Sequence, residues 1–251
     1  MDKIRISAVK YANTYPFIYG LTESGFDKKV ILEMDHPADC ASKLINRRVD
    51  IGLVPVAILP LLKEYHIISD YCIGANGNVR TVMLLSNCQF EKITTIYLDY
   101  RSRSSVNLVK VLAKNCWKSE FRWVNTSKGF DFRNIGLNEA VVLIGDQCFE
   151  YENSFRCKID LANEWKGFTG LPFVFACWVA NREIDKEFCE DFNRALLSGI
   201  RNIDAVVEKY GKSGAIKGRE LKEYLTNNID YDLNEDKKKA LKLFLEFIRQ
   251  L

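Results

Sequence analysis

Three serines and an arginine, Ser102-Arg103-Ser104-Ser105, stand where the apolar run Ile96-Tyr97-Leu98 gives way to helical spacing through Val106, Val109, Leu112 and Ala113. A helix start carries backbone N–H groups with no internal partner and a partial positive charge. Hydroxyls and a guanidinium beside it add donors, which makes the segment a candidate seat for a carboxylate or phosphate. The same residues admit a plainer use, in which one serine caps the helix. A second polar pair, Asn13-Thr14, lies in Tyr11-Ala12-Asn13-Thr14-Tyr15-Pro16, where a strand hands over to a helix. There Asn13 is either a turn or cap residue or a group aimed at a ligand. Asp146 ends the wholly apolar run Ala140-Val141-Val142-Leu143-Ile144, at the strand terminus where parallel sheets place ligand groups.

Chemistry that needs imidazole has little to draw on, because His36 and His66 are the only histidines. A Ser-His-Asp triad, a Cys-His pair or a multi-histidine metal site would have to use one of them, and neither has a partner motif. His36 precedes Pro37 at a helix entrance and His66 opens a strand, so both are expected to be structural or solvent-facing. Eight cysteines are scattered with no CxxC and no zinc-type spacing, and they read as reduced, small hydrophobes. There is no GxGxxG and no P-loop, so neither a cofactor nor a metal is expected. The balance of 36 basic against 33 acidic residues, a formal +3, is too even to argue for nucleic acid. The tight run Lys237-Lys238-Lys239 fits a solvated helix face. No stretch approaches the roughly 18 apolar residues of a membrane span, and the chain opens on a strand pattern instead of a signal peptide. A cytoplasmic location with no membrane partner is the expectation.

The elements that must hold these groups alternate. Ile4 to Val9, Val30 to Met34 and Asp50 to Val56 read as strands, and Pro37 starts a helix through Leu44 and Ile45 that ends near Arg47 and Arg48. Such β-α-β alternation predicts an α/β fold with mostly parallel sheet. Val79 to Ser86 reads as a long strand leaving a first domain, and Ile93 to Asp99 begins a second. The aromatic-rich strand Phe168 to Val179, entered through Gly170-Leu171-Pro172, returns the chain. Helices then follow from about Lys186 to Tyr210 and from Asn234 to Leu251. The domain expectation is a discontinuous first lobe, residues 1–86 plus 179–251, and a second lobe of residues 87–178. Two crossings give a cleft with a hinge.

Taken together, five ordered segments resemble the MqnA family, chorismate dehydratases of the futalosine route to menaquinone. They are Ser7 to Phe17, Val49 to Val56, Leu98-Asp99 with Ser102 to Ser105, Ile144 to Asp146, and Thr169 to Ala176. The sister family MqnD carries a Cys-Pro-Asn-Asp-like N-terminal motif, whereas Tyr11-Ala12-Asn13-Thr14-Tyr15-Pro16 matches the dehydratases. The resemblance implies a two-lobed fold like the type II periplasmic solute-binding proteins, with the ligand in the cleft between lobes. It also implies loss of water from chorismate to give 3-[(1-carboxyvinyl)oxy]benzoate.

Under that resemblance the catalytic candidates are Asn13 and Thr81. Ser104, Ser105, Ser102 and Thr14 bind the substrate, with Arg103 as an electrostatic contributor and Phe173 facing the ligand. Phe175 and Trp178 share the aromatic wall. Thr81 stands where the family more often has serine, and Ser104 where it usually has threonine; both swaps keep the hydroxyl. Asp146 is placed with the substrate-binding candidates, as either a general base or a group that tethers the hinge or caps a loop, and Asp99 is read in the same way. A carboxylate facing a dianion is repelled unless protonated or paired. The mechanism is therefore expected to be substrate-assisted, the enolpyruvyl carboxylate removing the ring proton. The alternatives are a non-catalytic protein that binds a small carboxylate, and the later naphthoate-forming enzyme of the same fold.

Overall fold

The structure, a computed structural model, describes residues 3–251. Alternation extends Arg5–Val9 as β1, and the chain passes through a 3-10 turn, Ala12–Thr14, into α1, Tyr15–Glu23. Pro16 falls in the first turn of that helix, where a missing N–H costs nothing. β2 (Ile31–Asp35), α2 (Pro37–Ile45), β3 (Ile51–Pro55) and β4 (His66–Ala75) follow, with a 3-10 turn Val56–Leu61 after β3. The next part of the chain supplies β5 (Val82–Ser86), β6 (Thr95–Leu98), α3 (Ser104–Val111), β7 (Arg122–Asn125) and β8 (Glu139–Ile144). It continues with α4 (Gln147–Tyr151), β9 (Cys157–Asp160) and α5 (Leu161–Thr169). β10 (Phe173–Ala180), α6 (Lys186–Arg201), α7 (Ile203–Tyr210), α8 (Gly218–Glu223), β11 (Asp230–Asp232) and α9 (Glu235–Ile248) complete the order.

The strands form two sheets, ordered β11-β4-β10-β3-β1-β2 and β7-β6-β8-β5-β9. Each is mixed rather than mostly parallel. β1 runs parallel to β2 and β3, and β6 parallel to β7 and β8, while β10 and β5 run antiparallel to their neighbours. The reason is where the chain crosses. β5 enters the second sheet with Val82 opposite Ile144, the carboxyl end of β8, and β10 passes Pro55, the carboxyl end of β3, before Ile51. A strand arriving from the cleft side must run against strands that end there.

This placement also corrects the lobe boundaries. β5 belongs to the second sheet and β10 to the first, so the crossings fall near residues 76–81 and 170–172 instead of 86 and 178. Nor does the C-terminal part serve one lobe alone, since Phe244 of α9 packs edge-on against Trp165 of α5, 5.8 Å between centroids. α9 is capped by Asn234, whose Oδ1 accepts the Lys237 N–H at 3.0 Å.

A close helix crossing fixes the approach to the cleft. Where α1 meets α6, a Cβ on Gly20 would sit 2.0 Å from the Ala195 carbonyl oxygen, and one on Gly199 would sit 1.8 Å from that of Pro16. Glycine at both positions lets the backbones touch, which holds the Asn13 turn at the base of α1 against the main body. Among the described residues, no helix is long and apolar enough to cross a membrane.

Candidate active site

The carboxyl ends of the parallel strands converge on one cavity. Val9 and Asn13 reach it from the end of β1, Pro55 from β3, Ile144 and Gly145 from β8, and Ser102, Ser104 and Ser105 from the turn after β6. Thr81 and Val82 enter from the crossing segment, and Ile73, Phe175 and Ala176 from the two strands that flank it. Asn13, Thr81 and the three serines, separated by as many as 92 sequence positions, therefore share one wall-to-wall space whose remaining lining is largely apolar.

The serine turn divides its labour. Ser102 Oγ accepts the Ser105 N–H at 3.1 Å, so Ser102 performs the capping that one serine was expected to perform. Ser104 donates to the Phe175 carbonyl at 2.9 Å and accepts the Ala57 N–H at 3.3 Å, so its hydroxyl ties the start of α3 to the first sheet. Ser105 is the member of the turn whose hydroxyl is left to the cavity. Arg103 lies exposed, away from the cavity lining.

Across the cleft, the Asn13 side chain is set by its neighbours. Thr14 Oγ1 donates to Asn13 Oδ1 at 3.2 Å, and the Tyr231 hydroxyl donates to the Asn13 carbonyl at 3.0 Å. Thr14 is fully buried and stands behind Asn13 instead of lining the cavity. Thr81 Oγ1 lies 2.9 Å from the Tyr224 hydroxyl. The backbone that presents Thr81 is held tightly. Arg80 takes a positive φ of 62°, and its N–H donates to Asp160 Oδ2 at 2.7 Å. The other Asp160 oxygen caps α5 by accepting from Ala162 and Asn163. Burial raises the Asp160 pKa, against the pull of the amides at Arg80, Asn163, Ala162 and Val79.

Asp146 acts as the tether. Both its oxygens accept the Ala12 N–H, at 3.0 and 3.2 Å, so a second-sheet carboxylate holds the first-sheet turn that carries Asn13. Burial pushes its pKa up to about 6, with Glu150 adding to the rise and the Ala12 amide opposing it. Asp99 is wholly buried, its carboxylate bonded to Arg101 Nε and Nη2 at 2.9 Å each and to Gln147 Nε2 at 2.7 Å. Neither carboxylate lines the cavity.

Phe173 is corrected by the structure. It is 1% exposed and packs edge-on against Trp165, Phe175 and Phe244 in the core. Phe175 lines the cavity in its place, because β10 bulges between Val174 and Ala176 and the extra residue is re-aimed. His36 and His66 stand where the sequence put them, before α2 and at the start of β4.

A family model described as menaquinone biosynthesis matches residues 4–250. The chain belongs to the menaquinone biosynthesis family. Among curated relatives, a Thermus thermophilus protein named chorismate dehydratase is 25% identical over 94% of this chain and 92% of its own. A Campylobacter jejuni protein of the same name is 25% identical over 96% of this chain and 92% of its own. Among solved structures, the Archaeoglobus fulgidus protein AF1704 superposes with a TM-score of 0.78 at 19% identity, covering 99% of this chain and 97% of that one. A Candida albicans protein described as having the generic periplasmic binding protein fold gives 0.70 at 12% identity, covering 100% and 91%. These structures establish the two-lobed periplasmic-binding-protein-like fold of this menaquinone-biosynthesis family member, and the MqnA resemblance holds.

Sequence reasoning missed Tyr224 and Tyr231, which come from the C-terminal segment, 143 and 218 positions from the groups they bond. It also missed Tyr11, whose ring lies over Gly145: a Cβ there would come within 2.6 Å of it. Gly145 itself has a φ of 69°. A glycine directly after an apolar strand was the available signal for that close approach.

Proposed function

We propose that this protein is a chorismate dehydratase, a carbon-oxygen lyase forming 3-[(1-carboxyvinyl)oxy]benzoate. The observation that carries the reading is a cavity lined by the neutral donors Asn13, Thr81, Ser102 and Ser105 over an apolar wall of Val9, Val82, Ile144 and Phe175. Family membership and the names of the two curated relatives support it. The reading carries with it a cytoplasmic location and a small-molecule partner.

The chemistry asks for little beyond positioning. A proton leaves the ring carbon bearing the enolpyruvyl ether, hydroxide leaves the neighbouring carbon, and the two depart as one water while the ring becomes aromatic. Ser105 and Ser102, with the first-turn amides of α3, seat one carboxylate. Asn13 and Thr81 steady the negative charge that spreads through the ring as the proton is removed. The enolpyruvyl carboxylate is the base. Asp146 and Asp99 are already engaged, by the Ala12 amide and by Arg101 with Gln147. Holding the substrate carboxylate against the ring proton converts the step into an intramolecular one.

Incubation of the purified protein with chorismate, without added metal or nucleotide, tests this directly. The aromatic product should accumulate, read by absorbance and mass. Chorismate returned unchanged from a protein that binds it would make the chain a carboxylate-binding protein. Turnover of a futalosine-derived substrate alone would make it the naphthoate-forming enzyme.

A further inference from the structure

Tyr224 is fully buried and opens a short π-helical turn, Tyr224–Asn228, directly after α8. Such turns recur at functional sites. Its ring packs edge-on against Phe149 of α4 at 5.1 Å, which fixes the direction of the hydroxyl. That hydroxyl lies 2.9 Å from Thr81 Oγ1, a candidate catalytic group on the crossing segment. Resting on the proposed dehydratase reading, we propose that Tyr224 is a positioning residue that commits the Thr81 hydroxyl to donate into the cleft.

The direction of the relay follows from which atoms are already used. Thr81 Oγ1 donates its single proton to the Val79 carbonyl at 3.4 Å, so in its 2.9 Å bond to Tyr224 it is the acceptor and Tyr224 gives the proton. The Thr81 proton is then held by a long bond, which a ligand oxygen at ordinary distance outcompetes. Each bond in such a chain polarises the next, so the donor presented to the developing anion is stronger than an isolated threonine. The phenol stays protonated throughout, since burial raises its pKa far above the working range.

The test is a double-mutant cycle with Tyr224→Phe and Thr81→Val, both close in shape to the residues they replace. Tyr224→Phe should lower kcat about tenfold with KM changed less than about threefold, the size of one lost hydrogen bond felt in the transition state. Thr81→Val should lower kcat about a hundredfold. The double variant should match Thr81→Val alone, and Thr81→Ser should keep both the activity and its sensitivity to Tyr224→Phe. An equal tenfold loss in the Thr81→Val background, or an unchanged kcat in Tyr224→Phe, overturns the relay. A purely structural role would instead move the melting temperature and KM without coupling to Thr81. If the wild-type protein binds chorismate but makes no aromatic product, the dehydratase reading falls by itself. The same cycle read in Kd then decides the relay, with additivity counting against it.

Discussion

Asp146→Asn separates the cost of burying a charge from the value of the bond it makes. In the folded protein burial lifts this carboxyl from 3.8 to about 6. The native state therefore holds its proton more firmly than the unfolded chain does. Stability from the protonated form is fully present below about pH 4 and is lost as pH rises through 6. Two units at 1.36 kcal/mol each make that loss about 3 kcal/mol. An asparagine can still accept the Ala12 N–H and does not titrate, so the variant escapes the loss. Other carboxyls titrate in the same window, and the difference between the two proteins cancels them. Urea or thermal unfolding at half-unit steps from pH 4 to 7.5 should show Asp146→Asn gaining steadily on the wild type, by about 3 kcal/mol in total, on the order of 10 °C in Tm for a chain of this size. Turnover at pH 7.5 should stay within a few-fold, because the tether to the Asn13 turn survives. Parallel stability curves for the two proteins would show that Asp146 is not the buried titrating latch described here.

Four further substitutions probe the cleft. Asn13→Ala should lower kcat about a hundredfold with a smaller change in KM, the loss of one positioned donor, and normal turnover in a folded variant would sink its role. Ser105→Ala and Ser104→Ala should part company. The first raises KM roughly tenfold with stability unchanged, while the second loses about 1–2 kcal/mol in urea titrations because the Phe175 carbonyl and Ala57 amide are left unpaired. Gly145→Ala adds a methyl 2.6 Å from the Tyr11 ring at a φ of 69°, so a destabilisation of about 2–3 kcal/mol and loss of chorismate binding are expected, checked by thermal melting and calorimetric titration.

What was legible in the sequence was local. The serine turn after β6 and the Asn13 turn after β1 could be placed because a strand, a turn and a helix start lie within a dozen residues, and each announces itself by periodicity and capping chemistry. Uses that depend on distant chain were not legible. Ser104 looked as free as Ser105, and only β10 and the turn after β3, folded beside it, claim its hydroxyl. Phe173 and Phe175 share a parity, and the bulge that sends one to the core and the other to the cleft is a property of the pairing with β4. The mixed sheets escaped the alternation rule for a related reason. A short apolar strand reads the same in either direction, and which way it runs depends on the side from which the chain arrives.

The charges around the cavity explain why its wall can be neutral. Arg101 is held by Asp99, Arg80 reaches Glu220 at 3.1 Å and lies over the Phe149 ring, and Asp146 is bound to a backbone amide. These charged groups therefore work for the frame. For the proposed elimination this has a kinetic meaning. Substrate and product are both dianions, so a cation facing the cavity would bind the two nearly as tightly as anything between them, and tight uniform binding does not speed the chemical step. Hydroxyl and amide donors aimed at one position are different. They gain most when charge moves onto the ring between proton loss and hydroxide departure, and they release a product whose charge has returned to its carboxylates.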